Sequence, residues 1–111
     1  ELLSASVELL PRNAPALNSL AVALKGLGRL DEARGAYERA IALRPDSAAF
    51  RTNLGMLHMQ RGFDPRLALP DAQRERARAR ELFQAALRLQ PTHVGAQQNL
   101  ALLLARTRPP R

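Results

Sequence analysis

Apolar residues recur along this chain at helical spacing, and prolines cut the pattern into segments. Leu17, Leu20, Leu24 and Leu27 form one stripe with steps of three and four. Gly26 and Gly28 interrupt it, and a glycine can take the left-handed turn conformation that ends a helix. A second stripe holds Ala33, Ala36, Tyr37, Ala40 and Ile41. It opens on Asp31-Glu32, acids suited to the positive end of a helix, and stops before Pro45. The pattern predicts two helices between Ala14 and Ser47.

The same phrase returns. Val7-Glu8-Leu9-Leu10-Pro11, Ile41-Ala42-Leu43-Arg44-Pro45 and Leu87-Arg88-Leu89-Gln90-Pro91 are apolar tails stopped by proline, which cannot continue a helix. Pro11 and Pro45 lie 34 residues apart, and Pro45 and Pro91 lie 46 apart. A period of 34 with one insertion of 12 accounts for both spacings. Residues 14–47 are then the first full unit and 48–93 the second. Asn53-Leu54-Gly55 answers Ser19-Leu20-Ala21, and Ala79, Phe83 and Ala86 answer Ala33, Tyr37 and Ala40. Arg51 departs from the template, standing where the first unit has Leu17. The extra residues lie near 63–74, where Asp64-Pro65 and Leu69-Pro70-Asp71 are loop and helix-start signals. They predict a longer loop and a second helix about two turns longer than usual, near Asp71 to Leu89. Residues 94–106 read as the first helix of a third unit, 1–13 as the second helix of a preceding one, and 107–111 as a tail.

Leu17, Leu20, Ala21, Leu24, Gly28, Ala33, Tyr37, Ala40 and Pro45 together resemble the tetratricopeptide repeat (TPR) family. The resemblance implies an all-α fold, a right-handed α-solenoid of antiparallel helix pairs, with two full repeats and a half-repeat at each end. Small residues at Ala21, Ala33 and Ala40 let helix axes approach, and the large residues fill the gaps between them. One pair cannot bury its own apolar face, so neighbours stack.

In that family the first helix of each pair lines a concave groove that holds a protein or peptide. Carried over residue by residue, the groove takes Asn18, Ser19, Val22 and Lys25 from the first unit. The second unit supplies Thr52, Asn53, Met56, Met59 and Gln60, and the third supplies Gln98, Asn99, Leu102 and Arg106. Asn53 and Asn99 are the strongest candidates, because a carboxamide offers both donor and acceptor to the main chain of an extended peptide. Ser19 breaks that ladder in the first unit. Met56 and Met59 read either as a soft apolar floor or as ordinary helix packing. Some family members clamp a C-terminal carboxylate with Lys, Arg and Asn. Here Pro15, Ser19 and Gly95 occupy clamp positions, which rejects that mode.

Composition adjusts this picture only a little. Hydrophobic residues make up 46% and aromatics 4%, so the core comes from Leu and Ala, both good helix formers. The absence of cysteine excludes disulfides and thiolate chemistry. The net charge is +7, yet Lys25 is the only lysine among 17 basic residues. Such arginine excess points first to a bias of the whole coding sequence, with an acidic partner as the alternative. Arg74, Arg76, Arg78 and Arg80 are interleaved with Glu75 and Glu81 and lack aromatics for base stacking. They read as a solvated face, which argues against nucleic acid. His58 and His93 are far apart in sequence; His58 falls in a large-residue slot and reads as packed, not as a ligand or base. No cofactor motif, catalytic set or apolar run of about 18 residues that could span a membrane appears. The chain opens on Glu1-Leu2-Leu3 without Met, which suggests a piece of a longer protein. The expectation is a binding module, not an enzyme. The alternatives are the substrate-recruiting arm of a larger enzyme such as a glycosyltransferase, and self-association through uncapped ends.

Overall fold

The structure, a computed structural model, describes residues 13–108. Five helices follow one another: α1 (Ala14–Gly26), α2 (Leu30–Leu43), α3 (Ala48–Gly62), α4 (Leu69–Leu89) and α5 (Val94–Thr107). No strand occurs among the described residues. The helix expected over residues 1–13 lies outside them, apart from Asn13.

Helix ends alone reveal the repeat register. The first four N–H groups of a helix lack internal partners, and each first helix solves this with a side chain one residue before its start. Asn13 accepts from Ala16 N at 3.0 Å, Ser47 from Phe50 N at 3.1 Å, and the Nδ1 of His93 from Ala96 N at 3.0 Å. Asn13, Ser47 and His93 are equivalent positions in successive units. The second helices, α2 and α4, have no side-chain cap and instead carry Asp31, Glu32 and Asp71 in their first turns. Negative charge there favours the helix dipole.

The departure at Arg51 also has a cause. Its guanidinium donates to the carbonyl of Pro45 at 2.9 and 3.3 Å. Gln97, the equivalent residue of the third unit, donates to the carbonyl of Pro91 at 2.8 Å. Both tie a first helix to the proline that ended the previous one.

The twelve extra residues of the second unit are spread over three elements. Relative to the first unit, α3 is two residues longer than α1, the connecting loop is three longer, and α4 at 21 residues is seven longer than α2 at 14. Seven residues are about two turns, as the sequence predicts. The two loops also end their helices differently. Gly28 turns the chain with φ +79, the only positive φ among the described residues. The equivalent Gly62 stays helical, and a Cβ there would lie 2.6 Å from Arg76 Cγ and 3.3 Å from Ala72 O. Its hydrogen side chain lets the extended α4 lie close against α3.

Packing follows the expected faces. Ala21, Leu24, Ala33, Ala36, Tyr37, Leu54, Leu57 and Leu82 form one buried cluster spanning α1 to α4. Ala79, Phe83 and Leu103 form another that joins α3, α4 and α5 through Met56, Met59, Phe63 and Leu100. Each fully buried Leu or aromatic is worth about 1.5–3 kcal/mol of transfer free energy. Sequence neighbours pack on each other throughout, and α3 also touches α5. α1 meets α3 through the buried Leu17 and Phe50 and the Asn18–Asn53 bond, so first helices stand beside first helices. The molecule measures 51 × 34 × 18 Å, an elongated slab rather than a closed bundle. At its end, Ala101 and Leu104 of α5 are exposed, whereas their equivalents Ala21 and Leu24 are buried. No second helix follows α5 among the described residues.

Candidate functional site

The side chains expected to line the groove rise from α1, α3 and α5. Asn53 Nδ2 donates to Asn18 Oδ1 at 3.0 Å, which brings the amides of α1 and α3 together across two units. Asn53 Oδ1 and the amide nitrogen of Asn18 have no side-chain partner among the described residues. Asn99 donates to Gly95 O of its own helix at 2.8 Å. Ser19, Gln60 and Gln98 are exposed.

Beside this polar row runs an apolar one. Val22 and Leu102 occupy equivalent positions and are 52% and 48% exposed, a large exposure for such side chains. Met56, their equivalent in the second unit, is partly buried. It packs with Met59 against Ala79, Phe83 and Leu103, so both methionines serve helix packing as well as offering surface.

Thr52 corrects the sequence reading. It is buried, and its hydroxyl donates to Ala48 O at 2.9 Å. A Cβ on Gly95 would lie 3.8 Å from Thr52 Cγ2, so α5 comes close over this residue and leaves no room for a ligand. Helical phase within one helix does not convey the approach of the next helix.

Lys25 and Arg106 stand at the C-terminal ends of α1 and α5. Lys25 is half-buried, and that burial lowers its pKa. Arg106 is exposed, with its guanidinium carbon 3.6 Å from the Phe63 ring centroid; Arg76 lies over the same ring at 4.5 Å. Phe63 and Arg76 were not among the residues expected here. Arg76 also donates to the carbonyl of Gly62, so it is not part of a uniformly solvated face. Its neighbours on α4 behave as expected: Arg74 pairs with Asp71, Arg78 with Glu81, and Arg80 is exposed.

Polar chemistry elsewhere is spent on structure. His58 is buried as expected for a packed histidine, with Nδ1 2.6 Å from Glu75 Oε1. Arg61 joins Asp31 of α2 and approaches Glu75 Oε2 at 4.0 Å. The hydrogen bond from Arg61, and then its charge, hold the Asp31 carboxyl below the usual carboxylate range. A cleft of about 570 Å³ lies beside these groups, at the turn between α1 and α2 and the inserted loop. Arg29–Glu32, Arg61–Asp31 and Arg66–Asp64 pairs already occupy its walls or margin. Among the described residues no group of three or more His, Asp or Glu side chains is placed to hold a metal ion. No helix there is long and apolar enough to cross a membrane.

Residues 23–62 match the family model described as TPR repeat. Over that stretch the chain is similar to TPR repeats. The matched stretch runs from the end of α1 to the end of α3, through the Tyr37 and Leu57 core. No curated protein matches the chain closely enough to add to this. TPR repeats are in general protein–protein interaction modules and typically non-catalytic.

Proposed function

We propose that the face shared by α1, α3 and α5 is a groove that holds a polypeptide segment of a partner protein in extended or helical form. One observation carries this reading. The amides of Asn18 and Asn53 meet across two helix pairs at 3.0 Å and keep a carbonyl oxygen and an amide nitrogen unspent. Those groups match the alternating donors and acceptors of a peptide main chain. The neighbouring Val22 and Leu102 supply exposed apolar surface for side chains of the same segment. Asn99 lies in the equivalent place on α5 and extends the amide row.

The test uses a peptide selected on the protein from a displayed random library. Replacing Asn53 and Asn99 together by Ala should weaken its binding about tenfold or more, since each lost hydrogen bond in a partly desolvated site is worth about 1 kcal/mol. Unchanged affinity removes the amide row from the account.

A second reading, self-association, has the exposed Ala101 and Leu104 behind it. Pairing of that face with a second copy predicts sedimentation that depends on concentration. A strict monomer at high concentration eliminates it.

A further inference from the structure

Charge is segregated between the two kinds of helix. The first helices α1, α3 and α5 carry Lys25, Arg51, Arg61 and Arg106 and not one Asp or Glu. Every acid among the described residues sits on α2, on α4 or in a loop. Random placement of acids would not spare three helices that share one face.

At the edge of that face, Arg76 and Arg106 both lie over Phe63. Their distances to the ring bound the separation of the two guanidinium carbons to about 8 Å. Neither is ion-paired with a carboxylate among the described residues. The ring's negative face offsets part of this charge, and the Gly62 carbonyl takes one N–H of Arg76. A guanidinium stacked on an aromatic ring still presents its in-plane N–H groups, which suit a carboxylate in a bidentate pair. Two such groups held close together without a counter-ion make a local excess of positive charge.

We infer that the segment held in this groove is acidic, and that Arg106 and Arg76, stacked on Phe63, take one of its carboxylates. This rests on the groove reading above and adds the chemistry of the partner. Lys25, on α1 at the far side, is the second cation of the face. Adjacent helices lie about 8–10 Å apart, so α1 and α5 are separated by roughly 20 Å, which an extended chain covers in about six residues. The preferred segment has acids near both ends of such a span and an apolar residue between them for Val22 and Leu102.

The experiment is a selection of random decapeptides on the whole chain, on Arg106→Glu and on Lys25→Glu, each first shown to keep the helical content and unfolding midpoint of the parent. Peptides from the parent should be enriched in Asp and Glu, and each variant should lose that enrichment at one end. The parent's best decapeptide should bind Arg106→Glu about tenfold more weakly or worse. Peptides recovered without acidic enrichment would overturn the inference while leaving the groove standing. Failure to recover any peptide would overturn the groove reading too. Displacement of the peptide by single-stranded DNA at physiological salt, at equal or lower concentration, would assign the positive edge to nucleic acid instead.

Discussion

Asn53 and Asn18 are 35 residues apart in sequence and hydrogen-bonded, amide to amide, at 3.0 Å. Because they belong to the first helices of successive helix pairs, the bond ties α3 to α1. It also places two carboxamides side by side where a peptide main chain is expected. A partly buried bond between neutral groups is worth about 0.5–1.5 kcal/mol net. A double-mutant cycle in urea with Asn18→Ala and Asn53→Ala should therefore return a coupling energy of about that size. Additive effects of the two changes would show that the bond does not persist in solution.

Two glycines on buried and open surfaces should respond in opposite directions to the same change. A Cβ on Gly55 would stand 2.6 Å from Phe83 Cε1, and Phe83 is wholly buried, so its ring has nowhere to retreat. Gly55→Ala gains up to about 1 kcal/mol of helix propensity but overpacks the core at a cost of about 1–3 kcal/mol, and the midpoint of thermal unfolding should fall. Gly35 in α2 has nothing within 4 Å of an added Cβ, so Gly35→Ala should raise that midpoint. A rise in both would contradict the close packing of α3 on α4.

Tyr37 and Phe83 are equivalent residues and the two largest fully buried side chains. Truncating either to Ala should cost about 3–5 kcal/mol, read as a lower urea midpoint. In a stacked repeat each loss should weaken mainly its own unit and that unit's neighbours. Hydrogen exchange on Phe83→Ala is then expected to rise first in α3, α4 and α5. Uniform acceleration along the chain would argue for a single cooperative bundle.

Much of this architecture could be read from the residues, and the limits have physical causes. The spacing of Pro45 and Pro91 and the stripe from Leu17 to Leu24 predict the helix pairs, because proline and helical periodicity act within one element. The extension of α4 follows from Pro70-Asp71 for the same reason. What a sequence template does not convey is the approach of one unit to the next. Thr52 has the phase of a groove residue and is buried, with the start of α5 at Gly95 lying over it. Phe63 opens the inserted stretch and Arg76 follows it, so their meeting with Arg106 is visible only in three dimensions. His93 acts as an N-cap, a role usually given to Ser, Asn, Asp or Thr; its equivalence to Asn13 and Ser47 was the available signal.

Acid should reveal the Arg61–Asp31 pair. Arg61 lowers the Asp31 pKa first by its hydrogen bond and then by its charge. A carboxylate whose folded pKa lies below its unfolded value, about 3.9, contributes stability that is complete above that value and disappears as pH falls through the folded one. Asp31 is largely exposed, so solvent screening keeps the contribution small. Asp31→Asn should lie slightly below the parent in urea midpoint at about pH 6 and converge with it at strongly acid pH. A gap that persists in acid would assign the effect to something other than this ion pair.

The most direct measurement is an NMR titration of the labelled protein with a decapeptide selected on it. Binding in the proposed groove should shift the side-chain amides of Asn18, Asn53 and Asn99 and the methyl signals of Val22 and Leu102, leaving the exposed residues of α2 and α4 unmoved. Shifts confined to α2, α4 or the inserted loop, with those five residues silent, would contradict a polypeptide site on the shared face of α1, α3 and α5.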